Sequence, residues 1–177
     1  MLKLYRLFFL FYSILLLAIA AIAQTAIAET SARNPIGIEV TTHLGDKQTF
    51  KQGDMIAFLI SLDKDAHVLM IYQDAQQKLI QIIPNRYRQQ DLYQAGLFIA
   101  VPDRSEPFEF TVNPPFGQEK LWVFASNQAF PALEGTEMSN GLRQLNNSLS
   151  EILAIIRPTD PDIAYGESST VIHTEPN

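Results

Sequence analysis

The side chains best suited to recognising a partner lie in two proline-led segments, 84–87 and 114–119, with Tyr93 close by in the sequence. We expect Arg86 and Glu119 to form an ion pair across neighbouring loops, with aromatic rings beside them. Loops held on a rigid scaffold are frequent binding sites, so these residues predict a recognition surface. In the alternative interpretation, the prolines fix the turns, the rings plug the end of the fold and the ion pair orients the loops. The candidate binding residues are Arg86, Tyr87, Tyr93, Phe116 and Glu119.

Serine, histidine and carboxylate side chains show no spacing typical of an active site. A serine hydrolase would need a Gly-x-Ser-x-Gly turn or a serine beside histidine and acid, and Ser61, Ser105 and Ser126 lack both contexts. The glycines are spaced as in turns rather than as in a phosphate-binding loop. We therefore predict no catalytic residue and no enzyme activity. The alternative is a hydrolase of envelope polymers, which needs two carboxylates converging in a cleft, drawn from residues such as Asp54, Asp74 and Glu119.

Histidines and aspartates do not combine into a metal-binding motif. His43, His67 and His173 do not share the short spacings that zinc sites use. His67 falls on a predicted central strand, where a hydrogen-bonded structural histidine is the expected role. Asp63 and Asp65 flank a lysine without the ligand number and spacing of a calcium loop, so a solvated turn is expected there. We predict neither a metal nor a cofactor.

The composition indicates a folded, acidic protein without disulfides. Of the 177 residues, 47% are hydrophobic and 18% are charged, and the formal net charge is -6. An acidic protein lacks the basic surface that binds nucleic acids and anionic lipids, so nucleic-acid binding is not expected. The chain contains no cysteine, which excludes disulfides, thiolate metal sites and cysteine nucleophiles.

The first 28 residues have the organisation of a secretory signal peptide. Two basic residues precede an apolar run from 7 to 23, and the small-residue pattern Ala26-Ile27-Ala28 follows. Cleavage after Ala28, or after Ala23, would release a periplasmic or secreted protein. In the alternative, an uncleaved leader acts as an anchor, because about 17 apolar residues lie at the lower limit for spanning a bilayer. After cleavage we expect no stable membrane span.

The segment from 65 to 87 is the centre of the predicted core. Residues 66–72 are apolar at nearly every position, as expected for a strand buried on both faces, and 79–83 resumes this pattern. The polar residues between them predict a β-hairpin, which needs further strands to cover its apolar surface. Those strands are expected at 36–41, 55–62, 97–101, 108–112 and 121–125.

One amphipathic helix is predicted near the C-terminus, over about 140–156. Leucines and isoleucines recur there at spacings of three and four, with Ser139 or Asn140 as the N-cap and Arg157-Pro158 at the end. We expect its apolar side to cover the sheet. Residues 169–174 are expected to add a last strand at the edge.

These elements predict a mainly β protein, an immunoglobulin-like antiparallel β-sandwich with one C-terminal amphipathic helix. About seven or eight short strands, with turn signals roughly every 8–12 residues, are typical of that architecture. A small barrel is the alternative. The predicted organisation is a signal peptide over 1–28, a spacer over 29–35 and a single domain over 36–177.

Short motifs follow one another in a fixed order over about 36–127. No single piece is specific, but the ordered set is. The motifs are Phe50-x-x-Gly53-Asp54, Asp65-Ala66-His67-Val68-Leu69, Ile71-Tyr72-x-Asp74, Ile83-Pro84-Asn85-Arg86-Tyr87, Ala95-Gly96, Val101-Pro102, Pro114-Pro115-Phe116-Gly117-x-Glu119 and Ala125-Ser126.

This ordered set resembles a bacterial family, the Domain of Unknown Function 4384. The resemblance implies a β-sandwich accessory module, often appended to caspase-like peptidases or serine/threonine kinases and also found alone in exported proteins. It implies no established activity. The sequence departs from the family pattern in the turn after Asp74, where Gln76-Gln77 stands in place of the usual glycine.

The expected function is therefore binding rather than catalysis. We expect an exported, non-enzymatic accessory domain that recognises a protein or a cell-envelope component through its loop end or an exposed strand edge. A small-ligand carrier is a further alternative, and it would need an apolar cavity inside the sandwich.

Overall fold

The computed structural model describes residues 35–45 and 47–177, which form a mainly β fold with one helix near the C-terminus. Thirteen strands and the helix are found within these residues. They are β1 (Ile38–Thr42), β2 (Thr49–Lys51), β3 (Met55–Ile56), β4 (Phe58–Leu62), β5 (Ala66–Gln73), β6 (Leu79–Ile83), β7 (Leu92–Tyr93), β8 (Ile99–Val101), β9 (Phe110–Thr111), β10 (Gln118–Ser126), β11 (Gly135–Glu137), β12 (Arg143–Leu145), α1 (Leu149–Ile156) and β13 (Tyr165–Glu175).

The largest sheet has the strand order β11-β12-β6-β5-β10-β13-β2, and β7 pairs with the start of β5. The long strands β5 and β10 run antiparallel at its centre, with Tyr72 opposite Leu121. Strand β5 is apolar almost throughout because this sheet is covered on both faces. Its Met70 packs into the inner core and its Ile71 into the outer one, which confirms the expectation of a strand buried on both sides.

The predicted hairpin of β5 and β6 is confirmed, and its turn has an unusual backbone. The Asp74 carboxylate accepts hydrogen bonds from the backbone N–H groups of Gln76 and Lys78, both at 2.8 Å. Gln77 then adopts φ = 67°, the left-handed region that favours glycine. A glutamine therefore takes a backbone conformation better suited to the glycine of the family pattern.

A small sheet with the order β1-β4-β8 covers the inner face of the large sheet. Phe58, Ile60 and Leu62 of β4 are buried in one cluster with Val68 and Val123 of the large sheet. Strands β3 and β9 form a separate antiparallel pair. Two layers of strands enclosing an apolar core make a β-sandwich, as predicted, with antiparallel pairing except between β13 and β2.

Helix α1 forms a third layer on the outer face of the large sheet. Ile152 and Ile156 are its buried residues, and they belong to an outer cluster with Leu69, Ile71 and Phe124. The expectation that the apolar side of the helix covers the sheet is confirmed.

The helix is shorter than predicted, because its predicted first half is the strand β12. Leu142 packs into the inner core and Leu145 into the outer cluster, so their spacing of three does not mark one helical face. The N-cap is Ser148, not Ser139 or Asn140. Glu151 and this serine form a reciprocal capping box. The predicted end at Arg157 is confirmed.

Several strand boundaries also differ from the predictions. Strand β13 is longer than 169–174 and is not an edge strand, since it pairs with β10 along most of its length and with β2 at its end. The predicted strand over 55–62 is interrupted at Ala57, whose N–H donates to His43 Nδ1 at 3.1 Å.

The predicted signal peptide over 1–28 and the spacer residues 29–34 lie outside the described residues. In the part of the chain that the structure describes, no helix combines the length and the apolar character needed to cross a bilayer.

Candidate interaction site

The five predicted binding residues do not form one surface. Arg86, Tyr87 and Tyr93 lie near the start of β5, since β7 pairs with its first two residues and the loop after β6 lies at that end. Phe116 and Glu119 lie near its end, because the start of β10 pairs there. The two groups are separated by most of the strand, roughly 20 Å at about 3.3 Å per residue.

The predicted ion pair between Arg86 and Glu119 is wrong, because the loop that carries Arg86 and the start of β10 that carries Glu119 lie at opposite ends of β5. Arg86 instead pairs with Glu137 of β11, and both side chains are exposed. Glu119 is buried and accepts hydrogen bonds from the hydroxyl groups of Tyr72 and Thr174.

Phe116 and Tyr93 are mainly packing residues, as the structural interpretation expects. Both are partly buried against the inner core. The Tyr93 hydroxyl donates to the Gln90 carbonyl at 3.3 Å, and burial raises the pKa of Tyr93 against the opposing effect of Arg88. Tyr93 thus contributes a wall to the neighbouring cleft rather than a free ring.

A groove of about 360 Å³ with a mixed polar and apolar lining lies between the loop from 87 to 94 and the segment from 97 to 106, and we call it the apolar groove after the exposed apolar side chains beside it. Phe98 is 76% exposed at this groove, and Tyr87, Leu92 and Leu97 are exposed beside it. These four are the majority of the seven large hydrophobic side chains exposed in the described residues. Single exposed apolar side chains are ordinary, whereas a contiguous patch with a polar rim marks an interaction site.

A buried polar network fixes the floor of the apolar groove. Arg88 and Glu106 form an ion pair of 2.9 Å, with side chains 15% and 2% exposed. The Asn85 amide donates to Glu106 at 2.9 Å, and its oxygen accepts the backbone N–H groups of Tyr87 and Arg88 at 2.7 and 2.8 Å. The backbone N–H of Asp103 donates to the same glutamate at 2.7 Å. The loop that carries Tyr87 is therefore held in place before any partner binds.

The side of the apolar groove that carries Phe98 is anchored just as firmly. The Asp65 carboxylate accepts the backbone N–H of Ala95 at 2.8 Å, and the N–H of Gly96 donates to the Leu62 carbonyl at 2.9 Å. Gly96 has φ = 74°, which allows the tight turn into β8. The turn fixes the position at which Phe98 is exposed.

Strand β8 is the edge of the small sheet and the second wall of the groove. The Arg88 guanidinium donates to the Ala100 carbonyl at 3.2 and 3.3 Å. This occupies a carbonyl in the middle of the edge, where an added strand would need it free. The groove is suited to contacts with side chains rather than to the addition of a strand.

Sequence reasoning missed Leu92, Leu97 and Phe98 as binding candidates. The segment 97–101 was expected to be a strand throughout, but β8 begins at Ile99. The alternation of side chains along a strand could have identified Phe98. Ile99 and Val101 are buried, so Phe98 lies on the opposite face of the strand, which faces solvent.

His67 and Ser126 are each engaged in a hydrogen bond of their own. No cluster of three or more potential metal ligands occurs in the described residues. His67 has the predicted structural role, with Nδ1 3.0 Å from the Asp91 carboxylate. Ser126 lies opposite His67 in the strand pairing, but its hydroxyl accepts the backbone N–H of Gln128 at 3.1 Å.

The carboxylates considered for a hydrolase are also engaged in structural hydrogen bonds. Asp54 accepts the backbone N–H of Lys51 at 2.7 Å and does not share a pocket with the other two. Asp74 and Glu119 do line the same pocket. Asp74, however, holds its own hairpin turn. Asp63 is exposed in a bend, as predicted, and it also accepts the backbone N–H of the distant Gly37 at 2.7 Å.

Comparison with known proteins gives one match. A family model described as "Domain of unknown function (DUF4384)" matches residues 49–129, from β2 to just beyond β10. The matched region contains the whole apolar groove and the network of Asn85, Arg88 and Glu106 beneath it. No curated protein and no solved structure matches the chain significantly.

Proposed function

We propose that this chain, whose residues 49–129 belong to the DUF4384 family, is an exported, non-enzymatic binding domain that recognises a protein partner through the apolar groove. The observation that carries the proposal is the exposure of four large apolar side chains around one cleft. Exposed apolar area of this kind is unfavourable in water and becomes favourable when a partner covers it.

The rigidity of the groove supports this function. A loop that must become ordered on binding reduces the affinity by its ordering cost, whereas a preformed surface does not. Here the Arg88–Glu106 pair, Asn85 and Asp65 hold both walls in place. The buried network explains how a polar loop can present Tyr87 and Phe98 in a fixed arrangement.

The groove favours a partner that inserts apolar or aromatic side chains. It is lined by Phe98, Leu97 and Leu92. Gln90 and Gln94 also line it, and their amides can hydrogen-bond to a partner's backbone. Because Arg88 occupies the carbonyl at the middle of β8, main-chain pairing contributes less than side-chain contact.

Site-specific photo-crosslinking in the native host tests the proposal. A benzophenone amino acid replaces Phe98 in one variant and Leu44 in a matched control, since Leu44 is 57% exposed and does not line the groove. We expect a discrete protein adduct from position 98 that is absent from position 44. Excess wild-type protein should suppress the adduct, and a Leu97→Ser/Phe98→Ser competitor should not.

The proposal fails if both positions give the same adducts, or if position 98 gives none. It also fails if the double-serine competitor suppresses the adduct as well as the wild type does. Both substituted side chains are exposed, so the competitor should remain folded, and its thermal unfolding curve checks this.

Export is a separate part of the proposal and has its own test. Mass spectrometry of the protein recovered from the host envelope fraction should show an N-terminus at Glu29, or at Gln24 if cleavage follows Ala23. Recovery of the intact N-terminus from the membrane would instead identify the leader as an anchor.

A hydrolase is the second candidate, because Asp74 and Glu119 line one pocket. Hydrolysis of a glycosidic bond needs one carboxyl group to protonate the leaving oxygen and a second to attack or to activate water. Loss of activity on envelope polymers in both Asp74→Asn and Glu119→Gln would favour it. We place binding first because Asp74 is engaged by the backbone of its own turn.

A further inference from the structure

A second pocket lies at the opposite end of the sandwich from the apolar groove, where β5 ends and β10 begins. Its volume is about 230 Å³, smaller than most drug-sized ligand sites and comparable to one long side chain. Apolar side chains, among them three aromatic rings and two prolines, form most of its wall, and a single buried carboxylate is part of its lining. The residues that matter are Phe58, Tyr72, Phe110, Pro114, Pro115 and Glu119.

The carboxylate in this pocket is buried without a cationic partner. Glu119 is 5% exposed, and the ion pairs found in the described residues do not include it. Burial raises its pKa, against the opposing hydrogen bonds from Tyr72 and Thr174. Glutamates are rarely buried to this degree unless they are paired. The neighbouring Lys120 is not the cationic partner of Glu119, because its ammonium group lies 3.8 Å from the centre of the Trp122 ring.

Glu119 can accept a further hydrogen bond besides those from the Tyr72 and Thr174 hydroxyl groups. Tyr72 donates to one carboxylate oxygen and Thr174 to the other, so each oxygen keeps a lone pair. An ammonium group has three N–H donors and can reach both oxygens from the pocket side.

The aromatic rings complete a site that suits a cation. Phe110 lies 5.6 Å from Phe58 and 6.4 Å from Tyr72 between ring centroids. The negative faces of aromatic rings attract ammonium groups, most strongly where water is excluded. Among the described residues that line the pocket, none is basic, and the other charged ones are Asp74 and Glu109.

We propose that this pocket binds one alkylammonium group, with its nitrogen at Glu119 and its methylene chain against Phe110 and the prolines. The group is either a lysine side chain of a partner or a free small primary amine. The site does not depend on the apolar groove, because the two lie at opposite ends of β5.

Titration followed by NMR tests the proposal on the purified protein. The probes are n-butylammonium chloride, Nα-acetyl-lysine methylamide and the uncharged analogue Nα-acetyl-norleucine methylamide, all at matched ionic strength because salt screens charge. The reporters are the backbone amide signals of Thr111 and Asn113, which line the pocket. We expect saturable shifts with the two ammonium probes and none with the norleucine probe.

The matched variant Glu119→Gln keeps the shape of the side chain and removes the charge. It should bind the lysine probe at least about tenfold more weakly, because a charge-assisted hydrogen bond is lost. If this variant does not fold, Phe110→Leu serves in its place and should weaken binding about fivefold through loss of the ring face. Each variant's amide spectrum reports whether it is folded.

The two ammonium probes also distinguish the source of the ligand. Tighter binding of the lysine probe indicates a protein partner, and equal or tighter binding of butylammonium indicates a free amine, as in a small-ligand carrier. Equal shifts with norleucine, no shift with any probe, or unchanged affinity in a folded Glu119→Gln or Phe110→Leu variant would overturn the proposal. None of these outcomes changes the result expected from photo-crosslinking at position 98, which tests partner binding at the apolar groove separately.

Discussion

Replacing Glu106 with alanine should destabilise the protein more than any change to a surface ion pair. The carboxylate is 2% exposed and accepts hydrogen bonds from Arg88, Asn85 and the backbone of Asp103. Its removal leaves a guanidinium that is only 15% exposed without its ion-pair partner. Breaking one side of a buried pair costs about 3–5 kcal/mol, so we expect a loss of at least about 3 kcal/mol in unfolding free energy.

Urea denaturation followed by tryptophan fluorescence measures this loss. With an m-value of about 1–3 kcal/mol per molar urea, the midpoint should fall by about 1 M or more. The control is Glu137→Ala, which removes the exposed partner of Arg86 and should cost at most about 1 kcal/mol. The variant Arg88→Met/Glu106→Leu removes both charges and should recover part of the loss.

A Glu106→Ala loss no greater than that of Glu137→Ala would refute this reasoning. The loop from 85 to 88 would then be held by something other than the buried network, and the argument for a preformed groove would lose its support. A large loss that the double variant fails to relieve would assign the effect to the lost packing and to Asn85 rather than to the unpaired charge.

Three further predictions concern other parts of the fold. Gln77→Gly should stabilise the protein by up to about 1 kcal/mol in urea denaturation. The left-handed backbone costs a glutamine about 1–2 kcal/mol, and the greater flexibility of glycine in the unfolded chain offsets part of the gain. A loss of stability would contradict this prediction. Ser148→Ala should cost about 1 kcal/mol by removing the N-cap, whereas the nearby Ser150→Ala should cost less. Glu119 has a pKa raised above its usual 4.5 by burial, with a further contribution from Asp74 and an opposing one from Tyr72. The folded state therefore holds a proton that the unfolded state has lost, and stability should fall as the pH rises from about 4.5 through the raised pKa. Urea midpoints measured below and above this window should show the fall in the wild type and its absence in Glu119→Gln.

The core was predictable because its residues follow simple periodicities. Continuous apolar runs identified β5 and β10, and both of these strands are covered on both faces. The polar turn between β5 and β6 identified the hairpin. Local pattern was sufficient in these segments because local and tertiary preferences agree.

The helix boundary was not predictable from spacing alone. Leu142 and Leu145 fit a helical stripe, yet Gly141 with φ = 79° precedes them and they belong to opposite layers of the fold. A spacing of three places two residues on one face of a helix but on opposite faces of a strand. The same leucine spacing is therefore compatible with either a helix or a strand. The pairing of this segment with β6 and β11 decides between them.

The candidate site was only half predictable, because it depends on which strand ends meet. Tyr87 and Tyr93 were identified from their loop, and the structure places both at the apolar groove. Glu119 was assigned to the same surface, but the register of β10 on β5 carries it to the far end. Strand register is a long-range property that residue types in one loop do not specify.

Arg88 has a consequence for how the protein behaves in concentrated solution. An open strand edge beside exposed apolar side chains is the combination from which β-rich proteins polymerise. By occupying the Ala100 carbonyl, this arginine removes an acceptor that a second copy would need to pair with β8. The same residue that supports the groove thus protects the molecule from aggregating through it.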